Sequence, residues 1–509
     1  MRRAEINGIP LYWDDIPGPF TAHLLLGTGV EDEPLPLGGV TELLEQLAVT
    51  AVAAVTAVVE IDSAVRGDHV HFRLVGAPER VAEAVNRLCR ALAEPPVAGL
   101  AAAARRVAAR QEREERWEGF QERELGYRYG LRGPGRIGWG SLALDHLVDH
   151  AGAGAVRAWA AERVTRAGAV LLLSGPPPEA LDPRLPDGPR VERPVVAPLP
   201  GRAGCWLQAP GHWIDLAIVS YEGPASPAGR LAAELVRHRA LRDPHVAADL
   251  TGDVEVHSSY VGGGRMLFWL VADTDEMGAA AVGEALDAIL RELAGYGREG
   301  AGADEEAGEA ADKAADEVRR LGLAWTERLD TAEQRHGQLV TAGLDHLSGL
   351  EVFDVPALRE RIAALGPADL RAALASYPST ALLVLPHACV PGADSPFEPE
   401  RHDTLAETLH DHPYTYKPRL FGPAGRHERM YLNDEGIAHW NGHCLRSVRW
   451  NEAAGLGIFP SGLRRLFGEN GDVVDIQADW YKSGADLALA ADTRVPPSLR
   501  FPMREEEPI

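Results

Sequence analysis

The sequence predicts an α+β fold made of two tandem copies of one unit, followed by a small β module. Three observations predict it. The order of strand-like and helical segments met before residue 175 returns after residue 200. A Pro-rich stretch, 176–200, separates the two runs and reads as a linker. Past Pro386 the composition changes, first to a polar, Pro-rich strap over 391–425, then from Arg426 to short strands with Gly-bearing turns. The expected domains are therefore 1–175, 201–390 and 426–509. A 509-residue chain has room for roughly three domains of about 150 residues each.

The elements repeat in order. The strand-like "FTAHLLLGTG" is followed by an acidic, proline-bearing loop and the helical "GGVTELLEQL" (Gly38–Leu47). Its counterparts are "WIDLAIVSYEG", another proline loop and "AGRLAAELVRHRAL" (Ala228–Leu241). Next come "DHVHFRLVG" with the helix "PERVAEAVNRLCRALAE", matched by "RMLFWLVAD" with "GAAAVGEALDAILRELAG". A long charged helix follows in each copy. The first is "AAAARRVAARQEREERWEGFQERELG" and the second "DEEAGEAADKAADEVRRLGLAWTERLD", whose charges read as a solvated face. Each copy closes on an apolar strand, "GAVLLLSG" and "TALLVLP". Alternating strand and helical periods of this kind build α+β layers. The longest apolar run, "LAVTAVAAVTAVV" (Leu47–Val59), is too short to span a bilayer and reads as the buried end of the Gly38 helix. The three glycines of "HSSYVGGGRM" lack the G-K-[ST] of a phosphate loop and read as the turn of a hairpin.

Charge and cysteine usage exclude several function classes. A net charge of −24 and a pI near 5.2 argue against nucleic acid or an anionic membrane as the main partner. Cys89, Cys205, Cys389 and Cys444 are scattered and form no C-x-x-C pair, which suits a reducing cytosol. "MRRAEINGIPLYWDD" has two arginines with no apolar run behind them, so no signal peptide is read there, and a cytoplasmic location is expected. Abundant Ala, Arg and Gly point to a GC-rich bacterial source.

Several histidine clusters have spacings to compare with metal sites. "HLVDH" places His146 and His150 four apart with Asp149 between them, a spacing that lets two imidazoles share a cation on a helix, but it brings no third ligand. His69 and His71 alternate along a strand and read as core-rim or surface residues. His402, His410 and His412 lie in the polar linker, and His439 and His443 straddle a turn. There is no G-x-S-x-G elbow.

The Gly38 helix carries the most specific pattern. Leu43, Leu44 and Leu47 form an apolar stripe, and Glu42, Glu45 and Gln46 sit together on or near the other side. An inverted zinc-peptidase helix reads H-x-x-E-H, whereas this one reads E-L-L-E-Q. With the tandem order and the segment "YRYGLRGPGRIGWGSLALDHLVDHAGAGAVRAWAAERVTRAGAVLLLSG", the chain resembles the insulinase/pitrilysin-like metallopeptidases, processing-peptidase branch included. The resemblance covers about residues 5–390. It implies two homologous α+β halves that enclose a peptide-sized chamber.

Carried over residue by residue, the resemblance puts the first zinc histidine at Glu42, the general base at Glu45 and the second histidine at Gln46. The third ligand falls near Gln111, with Glu112 and Glu114 close by. Zinc takes imidazole, thiolate or carboxylate donors, and a glutamine amide is a poor one. The expectation is a protein with no cofactor, which binds a peptide or acts as a regulatory subunit, alone, as a homodimer or beside a zinc-containing relative. Of the family's substrate-holding Arg and Tyr, "LRDPHVAAD" keeps Arg242, while Asp249 stands in for the tyrosine. Two alternatives stay open: a metalloendopeptidase that completes its site with a partner's residues or other ligands, with zinc as cofactor, and a scaffold that works through its β module. That module resembles a small pleckstrin-homology-like barrel, in which Arg446, Arg449, Arg464 and Arg465 form either a basic face or internal pairs with acids.

Overall fold

The computed structural model describes residues 1–53, 58–114, 151–190, 204–208, 216–275, 277–295, 306–386, 389–399, 413–417, 428–440, 445–469 and 472–503. In the first half they form β1 (Arg2–Ile6), β2 (Ile9–Trp13), β3 (Phe20–Leu26), α1 (Val40–Ala53), β4 (Glu60–Val65), β5 (Val70–Gly76), α2 (Pro78–Ala93), α3 (Leu100–Glu114), α4 (Ala153–Arg163) and β6 (Ala169–Leu173). The second half has β7 (Cys205–Gln208), β8 (Leu216–Pro224), α5 (Pro227–Ala240), α6 (Pro244–Asp249), β9 (Leu250–Gly262) and β10 (Arg265–Thr274). It continues with α7 (Ala279–Ala294), α8 (Glu306–Arg328), α9 (Ala332–Leu347), α10 (Val355–Ala363), α11 (Pro367–Ala373), α12 (Tyr377–Thr380), β11 (Leu382–Leu385) and β12 (Glu398–Pro399).

Sheet order makes the internal repeat explicit. The first sheet runs β1-β2-β6-β3-β5-β4 and the second β12-β7-β11-β8-β10-β9. The closing strand of each half slips between strands that precede it, parallel to one and antiparallel to the other. Alternation along β3 turns Ala22, Leu24 and Leu26 toward the helices. There they join Leu43 and Leu47 of α1 and Val85 and Leu88 of α2 in one core. The opposite face of this sheet is covered by the second half: Leu339 of α9 packs with Tyr12, Leu25, Val170 and Leu172. The halves thus share a wall, with Arg335 of α9 ion-paired to Asp14 at 2.6 Å.

Several elements differ from the sequence reading. α1 is described as far as Ala53, and residues 58–65 lead into and form β4, so Val58 and Val59 at the end of the apolar run are not helical. β4 reads "EIDSAV", too polar and short for its period to stand out. β12 comes from residues past 390 and pairs with β7, so the second sheet extends into the stretch assigned to the linker. As far as Arg190, the Pro-rich stretch carries neither helix nor strand and lies against the first half. Leu181 enters the core, and Asp182 bonds to Asn7 and Asn86. The glycine hairpin is present: β9 and β10 pair antiparallel, and Gly262, Gly263 and Gly264 all take positive φ, at 88°, 58° and 72°.

The β module has two sheets. β13 (Tyr414–Thr415), β14 (Arg429–Leu432), β15 (Gly436–Trp440) and β16 (Leu445–Arg449) form one. The other holds β17 (Ala453–Ile458), β18 (Arg464–Gly468), β19 (Val473–Ile476) and, after α13 (Ala485–Arg494), β20 (Arg500–Pro502). Leu456, Leu466, Val474 and Leu487 fill the space between. Of Arg446, Arg449, Arg464 and Arg465, three pair internally, Arg464 with Asp492 and Arg465 with Asp475, both at 2.8 Å, and Arg449 with Glu435, while Arg446 is exposed. No described helix is long and apolar enough to cross a membrane.

Candidate functional site

α1 begins under a carboxylate. Glu33, buried in the loop after β3, accepts the amides of Gly39 and Thr41, each at 2.7 Å, and so occupies donors that the first helical turn leaves free. Burial pushes its carboxyl up to about 8, against those two amides, which pull it down. Thr41, one step on, accepts the indole N–H of Trp159 in α4 at 3.0 Å.

Of the three polar residues of α1, Glu45 is buried and Glu42 and Gln46 are half-buried. Glu45 is 2% exposed. Its Oε2 lies 3.0 Å from Nη1 of Arg110 in α3, and Arg110 Nη2 reaches Glu42 Oε1 at 3.5 Å. One guanidinium therefore bridges both carboxylates. Ser63 of β4 donates its hydroxyl to the other oxygen of Glu45. Gln46 donates its amide to Thr50 at 3.1 Å, and Arg106, one turn before Arg110, donates to the same hydroxyl at 2.7 Å. Glu42, Glu45 and Gln46 are readable in the sequence, but Arg110 is not. In "RRVAARQ" it looks like any surface arginine, and only its four-residue spacing from Arg106 hints that both turn toward α1.

These residues do not fit zinc. At the positions the resemblance assigns to the metal, the carboxylates are engaged by Arg110 and Ser63 and the amide of Gln46 by Thr50, with no imidazole in the set. Gln111 follows Arg110 in α3, but its side chain, like those of Glu112 and Glu114, lies outside the described residues. A guanidinium stays protonated and cannot coordinate water, so the cluster as built neutralises charge without generating a nucleophile.

Arg242 is exposed between α5 and α6 and contacts His238 of the preceding turn, Nη1 to Nδ1 at 3.1 Å. Asp249 is exposed at the end of α6, where its carbonyl accepts from Thr274. No described hydrogen bond or ion pair joins either to the α1 cluster.

A second polar cluster escaped sequence reading. His71 of β5 meets His23 of β3, Nε2 to Nδ1 at 2.9 Å, and His336 of α9 lies edge-on to His23 at 5.8 Å. Burial, chiefly, lowers His23 to about 3 and His71 to about 4, and lowers His336 as well. The sequence holds no local signal for it, because α9 arrives from more than 300 residues away. His69, the other member of that strand pair, instead contacts Asp68 at 2.6 Å. His439 lies beside Glu428. His146, Asp149, His150, His402, His410, His412 and His443 lie outside the described residues. Among the described residues, no three His, Cys, Asp or Glu side chains are arranged to hold a metal ion.

No family model and no curated protein matches the sequence. Solved structures do match the fold. A protease from Helicobacter pylori aligns with a TM-score of 0.56 at 11% identity, over 75% of this chain and 98% of its own. The peptidase M16 inactive domain from Pseudomonas fluorescens gives 0.55 at 14%, over 77% and 99%. A chain of complex III2 from Candida albicans gives 0.56 at 11%, over 75% and 94%. With the two repeated six-stranded sheets and their helices, these likenesses establish that about three quarters of the chain has the fold of the insulinase-type, or M16, peptidases.

Proposed function

We propose that the protein is a non-catalytic insulinase-type homologue that binds an extended peptide or protein segment and serves as the regulatory subunit of a pair. The observation that carries the reading is the Arg110 guanidinium bridging Glu42 and Glu45, a protein cation where the family places a metal. A carboxylate tied to arginine and serine has no metal-bound water to deprotonate. Peptide binding is supported by β4. It is the edge strand of its sheet and carries Ser63 against Glu45, so a segment added to that edge would run beside the cluster. Two of the similar folds point the same way by what they are, an inactive domain and a chain of a large complex. The partner fitting this reading is a zinc-bearing relative or a second copy, in a reducing cytosol that suits the scattered cysteines. The β module is read as pleckstrin-homology-like from seven strands followed by a helix, with an eighth strand, β20, after it.

Metal analysis of the purified protein tests the first part. Less than about a tenth of a zinc per chain is expected, and near one per chain, with peptidase activity lost in Glu45→Gln, overturns it. For the second part, Arg242 is assigned to a backbone carbonyl or carboxylate of the bound segment. Arg242→Ala should then weaken a segment recovered by pull-down about ten- to a hundredfold, the equivalent of about 1.5–3 kcal/mol. Glu45→Gln should leave that affinity nearly unchanged. Full-strength binding by the Arg242 variant removes it from the account.

A further inference from the structure

The loop between β3 and α1 touches two things at once. Glu33 caps α1, and two residues later Leu35, flanked by Pro34 and Pro36, is only 7% exposed because it is buried in the β module. It packs with Phe459, Phe467, Phe501 and Met503 in a small apolar core separate from the module's main one. The seat is shaped for it. A Cβ on Gly455 of β17 would lie 2.7 Å from Cδ2 of Leu35, and one on Gly457 would lie 2.6 Å from Met503. Only glycine at these two strand positions leaves room for the leucine and the methionine. Two prolines hold Leu35 in a tight turn, with the amides of Leu37 and Gly38 donating back to Pro34 and Leu35.

We infer that the β module is a latch on α1: its apolar groove is a peptide-binding groove occupied in cis by Pro34–Leu37, and that seating fixes the first turn of the helix bearing Glu42 and Glu45. The module is therefore part of the first half's support and not a tethered unit free to dock elsewhere. The mechanical path is short: groove to Leu35, Leu35 to Glu33, and Glu33 to the amides of Gly39 and Thr41.

Hydrogen exchange read by mass spectrometry on the full chain tests this with two variants approaching from opposite sides. Leu35→Ala empties the groove, and Gly455→Val fills it from within the module. Both should speed exchange over residues 38–44 by roughly tenfold or more, while the β6 peptides stay as protected as in the unchanged protein. Both should also hasten release of the β module by limited proteolysis. If Gly455→Val unfolds the module outright, residues 38–44 must still loosen, because the latch is gone. Unchanged protection there in Gly455→Val, with the module released or not, overturns the inference. So does a Leu35→Ala protein whose module stays as resistant to cleavage as before.

Discussion

α1 and α5 occupy the same place in the two halves, each following the long central strand and packing on its sheet. Their interiors differ in kind. Matching Leu43 with Leu231 and Leu47 with Leu235 sets Glu45 against Ala233, which is fully buried, and Glu42 against Arg230. α5 buries Leu231, Ala232, Ala233, Leu235 and Val236 and is capped locally, Ser226 Oγ accepting the amide of Gly229. α1 buries a carboxylate against a half-buried cation, with a capping glutamate brought in from the preceding loop. The plain helix shows what the fold requires. A buried ion pair adds little stability over an apolar filling, and removing one partner costs heavily. The cluster makes α1 the helix more sensitive to the loss of a single side chain.

The largest expected effect comes from imposing α1's chemistry on α5. Ala233→Glu buries a carboxylate with no matching arginine and should destabilise the protein by about 4 kcal/mol, or shift its pKa far upward, in urea unfolding. Next is Arg110→Ala, which strands Glu45 and should cost about 3 kcal/mol. Adding Glu45→Leu should recover most of that, and a double variant as unstable as the single one would mean that the pair is not the unit.

Acid comes third. His23 and His71 have pKa values below their unfolded value, so their contribution is fully present above about pH 6.5 and is lost as pH falls toward about 4 and then 3. The loss is up to about 1.4 kcal/mol per pH unit for each ring. Protonation is opposed at both rings by Arg73 of β5 and at His71 also by Arg66 and His69, while Asp62 of β4 favours it at His71. His23→Asn with His71→Gln should flatten the decline between pH 6.5 and 4.5, and an unchanged slope would discount the cluster. Smallest is Arg242→Ala, exposed and, among the described residues, in side-chain contact with His238 of its own helix end, which should move stability by less than about 0.5 kcal/mol.

The tandem plan was legible because strands such as "FTAHLLL" and helices such as "PERVAEAVNRLCRALA" carry period and caps within a few residues. β4 and β12 were not, being short, polar and defined by the neighbours they pair with. At the site, the ordering of Glu42, Glu45 and Gln46 was readable from helix spacing, but their burial was not. Whether a glutamate on an amphipathic helix faces water depends on what lies across from it, here Arg110 and Ser63 from two other elements. The same holds for Leu35, an unremarkable loop residue until the β module closes over it, and for His23, which looks like one polar slip in an apolar strand.

The crossing of α9 onto the first sheet also sets a schedule. The strands that it covers are complete once Leu173 has been made, yet Leu339 is added on the order of 10–30 s later, at about 5–20 residues per second. During that interval Leu25, Val170 and Leu172 form a bare apolar strip on a nascent sheet. A chain stalled or truncated before Leu347 carries that strip permanently, so the first half released alone would be a substrate for chaperones and not a usable fragment.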